Sequence, residues 1–204
     1  MVFPQPFSTV GPALASYNFA DIISGTGYFN LYLGKTQDKN VISNLSFYSH
    51  TIFTTANNAT TTLTKVIDDD FDITIQKTTT FKGIAILNLP TKFRFGNGAY
   101  AGSGYHKVIL KKADVAIASV TLATTSGNSV TTYKMNAVDL TMPLTTFKRG
   151  EVLRVTIEGW VKINTAGGSG CDVAYAHDPK NRLTDWDAST PSTLTLFLPT
   201  RLDI

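Results

Sequence analysis

Apolar residues recur at every second position over most of the chain, and no segment shows the 3.6-residue spacing of an amphipathic helix. In 151–163, Leu153, Val155, Ile157, Gly159, Val161 and Ile163 share one face, opposed by Arg154, Thr156, Glu158, Trp160 and Lys162. The same alternation sets Phe71, Ile73 and Ile75 against Asp72, Thr74 and Gln76, and Phe29, Leu31 and Leu33 against Tyr28, Asn30 and Tyr32. Leu194, Leu196 and Leu198 make a fourth face, and Cys171–Ala176 reads as a short strand. Further strands are expected at 45–54, 81–89, 106–111, 114–123 and 130–141. The run Ile84–Leu89 is apolar on both parities, so it is expected to be central and covered on both sides. In 130–141 the parity of Tyr133 and Met135 differs from that of Val138, Leu140 and Met142, which predicts a bulge near Asn136-Ala137. Dense turn signals such as Lys148-Arg-Gly-Glu151 and Ser126-Gly-Asn-Ser129 separate the strands. Together they predict an all-β chain: an antiparallel, jelly-roll-like β-sandwich of about ten strands. One sandwich domain is expected over 17–204.

Composition agrees and narrows the function. Of 204 residues, 30 are Thr, 13 Ser and 12 Asn, a β-branched and hydroxyl-rich stock that suits pleated, half-buried surfaces. With 43% hydrophobic and 11% aromatic residues the chain can bury a core. No apolar run is long enough for a membrane helix, and the first residues carry no secretory signal pattern. A single cysteine, Cys171, excludes an internal disulfide framework and a cysteine-based zinc site. The net charge of +3 gives no electrostatic case for nucleic acid.

Candidate chemistry is sparse. His50, His106 and His177 sit in no nucleophile-elbow context. His177-Asp178 has the residue types of a phosphohydrolase metal pair, but it follows a short strand and precedes Pro179. A stiff loop over 177–182 is therefore expected, with Asp178 bonding local backbone. Asp68, Asp69, Asp70 and Asp72 could offer hard oxygens to Ca²⁺, yet they lack the glycine and terminal glutamate of an EF-hand loop. The expected role is a solvated turn or edge charge before a strand. Asp185 and Asp187 around Trp186 make a smaller group of the same kind. His106, Lys107, Lys111 and Lys112 form the densest basic patch, with no interleaved aromatic for nucleic-acid stacking. No catalytic residue, cofactor or metal site is expected, and the chain is expected not to be an enzyme.

The outward aromatics carry more. Trp160, Tyr28, Tyr32 and Phe197 occupy polar parities, so something covers a second face: the chain's own loops, a partner subunit, or a sugar ring on Trp160. Residues 1–16 combine Pro4, Pro6 and Pro12 with Val2, Phe3, Phe7, Val10 and Leu14. They form either a strap on their own sandwich or an arm clasping a neighbour.

The Pro-rich start, Ser24-Gly-Thr-Gly27 before an aromatic strand, Lys148-Arg-Gly-Glu151 before Val-Leu-Arg-Val-Thr-Ile-Glu158, and Ala176-His-Asp-Pro-Lys-Asn-Arg182 together resemble structural proteins of tailed viruses. The likeness is to small capsid decoration and minor capsid β-sandwiches. It implies a non-enzymatic virion structural protein on the capsid surface, made in the host cytoplasm. The partners implied are a capsid lattice protein and further copies of the chain, a trimer being one arrangement such shells use. Phe3, Phe7, Trp160, His177, Asp178, Lys180 and Arg182 are the contact residues expected. The alternative is a carbohydrate- or receptor-binding sandwich with Trp160, Trp186 or Tyr100 as its stacking platform.

Overall fold

A computed structural model of the chain describes residues 15–16, 26–96, 101–128, 131–165, 170–182, 186 and 189–201. Among them the alternation becomes thirteen strands and no helix, three more strands than the pattern alone suggested. They are β1 (Ala15–Ser16), β2 (Thr26–Lys35), β3 (Asn40–Ser43), β4 (Phe53–Asn58), β5 (Thr64–Thr74), β6 (Thr79–Arg94) and β7 (Gly102–Lys112). Then follow β8 (Val115–Thr121), β9 (Thr125–Gly127), β10 (Thr131–Phe147), β11 (Val152–Ile163), β12 (Cys171–Ala176) and β13 (Leu194–Arg201). Of the segment 1–16 only β1 is described, laid antiparallel on Phe29 and Tyr28 of β2. Phe3 and Phe7 lie outside the described residues.

Hydrogen bonding joins the strands in the order β4-β12-β6-β13-β2-β3-β5-β11-β7-β8, with β1 on β2, β10 on β6 and β9 on β7. Every pairing is antiparallel except one parallel bridge, Val41 to Asp72, between β3 and β5. At that bridge the path turns over. β10, β6, β12, β4, β13, β2, β1 and β3 make one layer, and β5, β11, β7, β8 and β9 make the other. Their inner faces share a single apolar core, as a β-sandwich requires. The inward parity of β11 is buried throughout, Leu153, Val155, Ile157, Val161 and Ile163 being fully closed to solvent. Each such aliphatic side chain contributes about 1.5–3 kcal/mol on leaving water.

Four expectations change. The segment 45–54 is not one strand: β3 and β4 flank a loop across 44–52, where Ser43 accepts from the Leu45 amide while Ser46 and Ser49 bond the distant Pro179 carbonyl and Lys35 amide. The acidic run 68–72 is not a turn but the middle of β5, in register with β11. β6 is central, yet only one of its faces is covered: Ala85, Leu87 and Leu89 are buried while Ile84 is 47% exposed. β10 runs unbroken from Thr131 to Met142 and slips only at Pro143-Leu144, not at Asn136-Ala137. Tyr133 holds its outer parity because Trp186 packs on it edge-on at 5.3 Å.

The inward face of β7 carries two glycines at one end and larger side chains beyond them: Gly102, Gly104, His106, Val108 and Leu110. The glycine end makes room for Phe93 and Phe95, which stack at 5.9 Å. A Cβ on Gly104 would lie 2.6 Å from the Trp160 carbonyl oxygen and 2.7 Å from the Phe93 ring. Gly104→Val is therefore expected to destabilise the sandwich by about 1–3 kcal/mol or more through overpacking. Urea unfolding measures the loss, and an unchanged midpoint would contradict the close approach.

Candidate functional site

An unusual polar group lies partly buried at the seam between the layers. In β5 the side chains alternate, so Asp68, Asp70 and Asp72 point outward while Asp69 points inward with Ile67 and Phe71. The outward three pair with cations. Arg154 reaches Asp72 through Nε at 2.7 Å and Asp114 through Nη1 at 2.7 Å, while Lys111 lies 3.6 Å from Asp70. Thr156 donates its hydroxyl to Asp70, and Lys65 joins Asp68 and Glu158. Among the described residues, no three or more His, Cys, Asp or Glu side chains are placed to hold a metal ion.

Asp69 ties the two layers together. It accepts hydrogen bonds from the Tyr175 hydroxyl of β12, and from Lys35 Nζ of β2 at 3.0 Å. Burial alone would raise its carboxyl, but the bonds from Tyr175, Lys35 and Thr54 outweigh that and hold it below its ordinary range. The Tyr175 phenol is pushed far up by its own burial and by the Asp69 charge. Thr54 Oγ1 also lies 3.2 Å from His177 Nε2, and Ser49 Oγ lies 3.3 Å from His177 Nδ1. A chain of contacts thus runs Ser49–His177–Thr54–Asp69–Tyr175. Ser49 and His177 meet at the distance of a hydroxyl and its base. Both are buried, and the serine oxygen is also engaged by the Lys35 amide at 2.9 Å. The bonded pair fixes the 44–50 loop to the end of β12.

The loop after β12 is stiff, as its sequence implied. The Asp178 carboxylate is fully buried and accepts from the amide and Nε of Arg182, at 2.7 and 2.8 Å, and from the amide of Lys180 at 3.4 Å. Burial opposes the Asp178 charge, but the Arg182 bonds win and lower its carboxyl. Arg182 also donates to the Ser49 carbonyl, and Ser46 donates to the Pro179 carbonyl at 2.9 Å. The two loops are therefore laced together. On top of them Tyr48 stands 72% exposed, with Lys180 Nζ 5.6 Å and the Arg182 guanidinium carbon 5.5 Å from its ring centroid. Leu45, 47% exposed, belongs to the same loop.

Of the expected contact residues, His177 and Asp178 are interior buttresses, whereas Lys180 and Arg182 reach the surface beside Tyr48. Trp160 lies elsewhere, on the outer face of β11. It is half-buried against Tyr105 with the rings 6.0 Å apart and 19° from parallel, and its indole N–H donates to Glu158 at 2.9 Å. Tyr100, Asp185 and Asp187 are outside the described residues. Trp186, with Phe53 and Tyr133, surrounds Lys92 Nζ at 5.2–6.0 Å on the outer face of the first layer. Sequence reading missed Tyr48 because its loop resembled a strand. It missed Asp69 because four acids were taken as one group. Parity counted from Phe71 would have singled out Asp69.

No protein-family model matches the chain, and no curated protein matches it. Among solved structures it is similar to a selenomethionine-labelled α-amino acid ester hydrolase, with a TM-score of 0.54 at 9% identity over 84% of this chain and 36% of the hydrolase. It also aligns with a CocE/NonD family hydrolase from Staphylococcus aureus, with a TM-score of 0.47 at 13% identity over 85% and 37%. VP2 of infectious bursal disease virus aligns with a TM-score of 0.29 at 10% identity over 83% and 41%. The chain thus spans about a third of the ester hydrolase's length. What that likeness shows is a shared fold. It corrects the expectation that the chain is not an enzyme, since a similar sandwich occurs in a hydrolase. The physical reason for the error is that alternation and a Thr-rich composition report a pleated sandwich and say nothing of the chemistry built on or beside it.

Asp178→Ala is expected to cost about 3 kcal/mol, because the cavity left behind strands the amides and guanidinium that the carboxylate now satisfies. Amide exchange at Lys180 and Arg182 should accelerate with it. Unchanged protection at those amides would contradict the buttress.

Proposed function

We propose that the chain is a self-associating virion structural module, docking on a capsid surface through the end formed by the 44–50 and 177–182 loops. The observation that carries this reading is Tyr48: a ring left 72% exposed, yet held in place by Lys180 and Arg182. An exposed ring normally loses conformational freedom when a partner covers it. Here Asp178 has fixed Arg182, and the lacing of the two loops has fixed the backbone, before any partner arrives. Tyrosine and arginine, with tryptophan, are the side chains enriched at the energetic centres of interfaces. Leu45 adds apolar area at the same end. The resemblance of the sequence to tailed-virus structural proteins supports placing this assembly on a virion, in many copies, with 17–204 as the sandwich and 1–16 as an arm. Phe3, Phe7 and Trp160 are proposed as secondary contacts.

A second reading rests on the Trp160–Tyr105 pair. A rigid indole anchored by Glu158 and stacked near a tyrosine offers a sugar ring an apolar shelf with polar groups beside it. A glycan array with hits abolished by Trp160→Ala would favour this carbohydrate-binding role.

Light scattering tests the first reading. The unmodified chain is expected to form a species of several copies. Tyr48→Ala should weaken association about 30-fold, as loss of an interface centre worth about 2 kcal/mol does, with the unfolding midpoint unchanged. A single-chain mass for the unmodified protein at about 100 µM would overturn the reading; that concentration lies far above the micromolar scale of specific assembly.

A further inference from the structure

Two of the three histidines are in the core, on opposite layers. His106 projects inward from β7 and is fully buried. Its ring packs edge-on against Phe93 of β6 at 5.1 Å and Tyr175 of β12 at 6.4 Å. Across β11 its register neighbour is Gly159, which offers no side chain. Neither ring nitrogen has a hydrogen-bond partner among the described residues. A buried imidazole without partners is rare and unfavourable, so its presence asks for a reason. His177 lies beyond Tyr175, at 5.5 Å, with Phe71 of β5 at 6.2 Å on another side. The polar groups facing His177 are Ser49, Thr54, Lys35, Asp69 and Asp178. His106, Tyr175 and His177 therefore form one continuous aromatic column spanning the seam between the layers. Its far end holds the loop that carries Tyr48.

We propose that this column is an acid release: protonating the two imidazoles places charge inside the seam, parts β12 from β7, frees the 177–182 turn and dismantles the Tyr48 surface. The proposal rests on reading that surface as the assembly face. Among the described residues, a protonated His106 would face the Phe93 and Tyr175 rings with no hydrogen-bond partner for either nitrogen. A protonated His177 would meet Lys35 as well as Asp69 and Asp178, and the two acids are already engaged by other donors.

The direction follows from burial. It lowers His106 from 6.5 to about 3 and, together with the Lys35 charge, lowers His177 from 6.5 to about 4. Both rings stay neutral in the folded chain at pH values where the unfolded chain protonates them. Stability is therefore full above pH 6.5 and falls as pH drops from 6.5 toward 4 and then 3. The lowered carboxyls of Asp69, Asp178 and Glu151 contribute mainly below about pH 5, so the window from 6.5 to 5 belongs to the histidines.

Urea unfolding of dilute protein at pH 7.5 and 5.0 tests this. The folding constant of the unmodified chain is expected to fall by about three orders of magnitude between the two, as two such shifts require. In His106→Leu/His177→Gln the fall should shrink below about tenfold, the value left when neither ring titrates. A fall below tenfold in the unmodified chain, or an equal fall in the variant, would overturn the acid release. Should the double variant not fold, the imidazole proton resonances of the unmodified chain decide. Two rings that do not titrate above pH 4.5 support the proposal, and a midpoint near 6.5 for either refutes it. Light scattering at both pH values then reads assembly separately. Single chains already at pH 7.5 would refute the assembly face, and the urea series would still decide the acid release by itself.

Discussion

The two layers of this sandwich are held in one relation by a carboxylate that is largely, though not wholly, withdrawn from water. Apolar burial brings the layers together but does not fix which strand lies over which, because oil-like contacts are non-directional. Asp69 is directional. It must be met by donors, and the donors it finds, Tyr175, Lys35 and Thr54, come from three strands of the opposite layer. Any sliding of one layer on the other would strip this partly buried carboxylate of its donors, which costs about 1–3 kcal/mol. That constraint places β12 over β5, and the end of β12 sets the position of everything at the Tyr48 end.

The consequence runs outward through contacts. Tyr175 positions the backbone of β12, and His177 then engages Ser49 and Thr54. Asp178 closes the turn on Arg182, and Arg182 reaches both the Ser49 carbonyl and the Tyr48 ring. Core, loop and surface are thus one mechanical unit. The surface is rigid because the core is specified, and the core's two neutral histidines make the same unit responsive to acid. A loop resting on apolar contacts alone would give neither property.

Much of the sandwich was legible in the sequence, because period-two burial is written residue by residue. The faces of β11, β13 and β2 could be read directly, and so could the Lys148–Glu151 turn, closed by the Glu151 amide donating to the Lys148 carbonyl at 3.1 Å. What was not legible depends on partners distant in sequence. Asp69 looks like its acidic neighbours until β12 is placed over it, 106 residues away. Tyr48 sits in a stretch that alternates well enough to pass for a strand, and only the serine bonds to the distant Lys35 amide and Pro179 carbonyl reveal the loop. Tyr133 read as a parity error because Trp186, which covers it, belongs to a distant loop. That a hydrolase shares this fold was invisible because a sandwich's pattern is the same in either setting.

The account stands on coupling between the layers through Asp69. The most direct test is a double-mutant cycle on Asp69→Asn and Tyr175→Phe, read by urea unfolding at neutral pH. The two changes are expected to be strongly non-additive, with an interaction energy of about 1.5–3 kcal/mol, as a charged hydrogen bond between a buried phenol and a partly buried carboxylate gives. Additivity to within about 0.5 kcal/mol would show that the carboxylate does not bind the layers together.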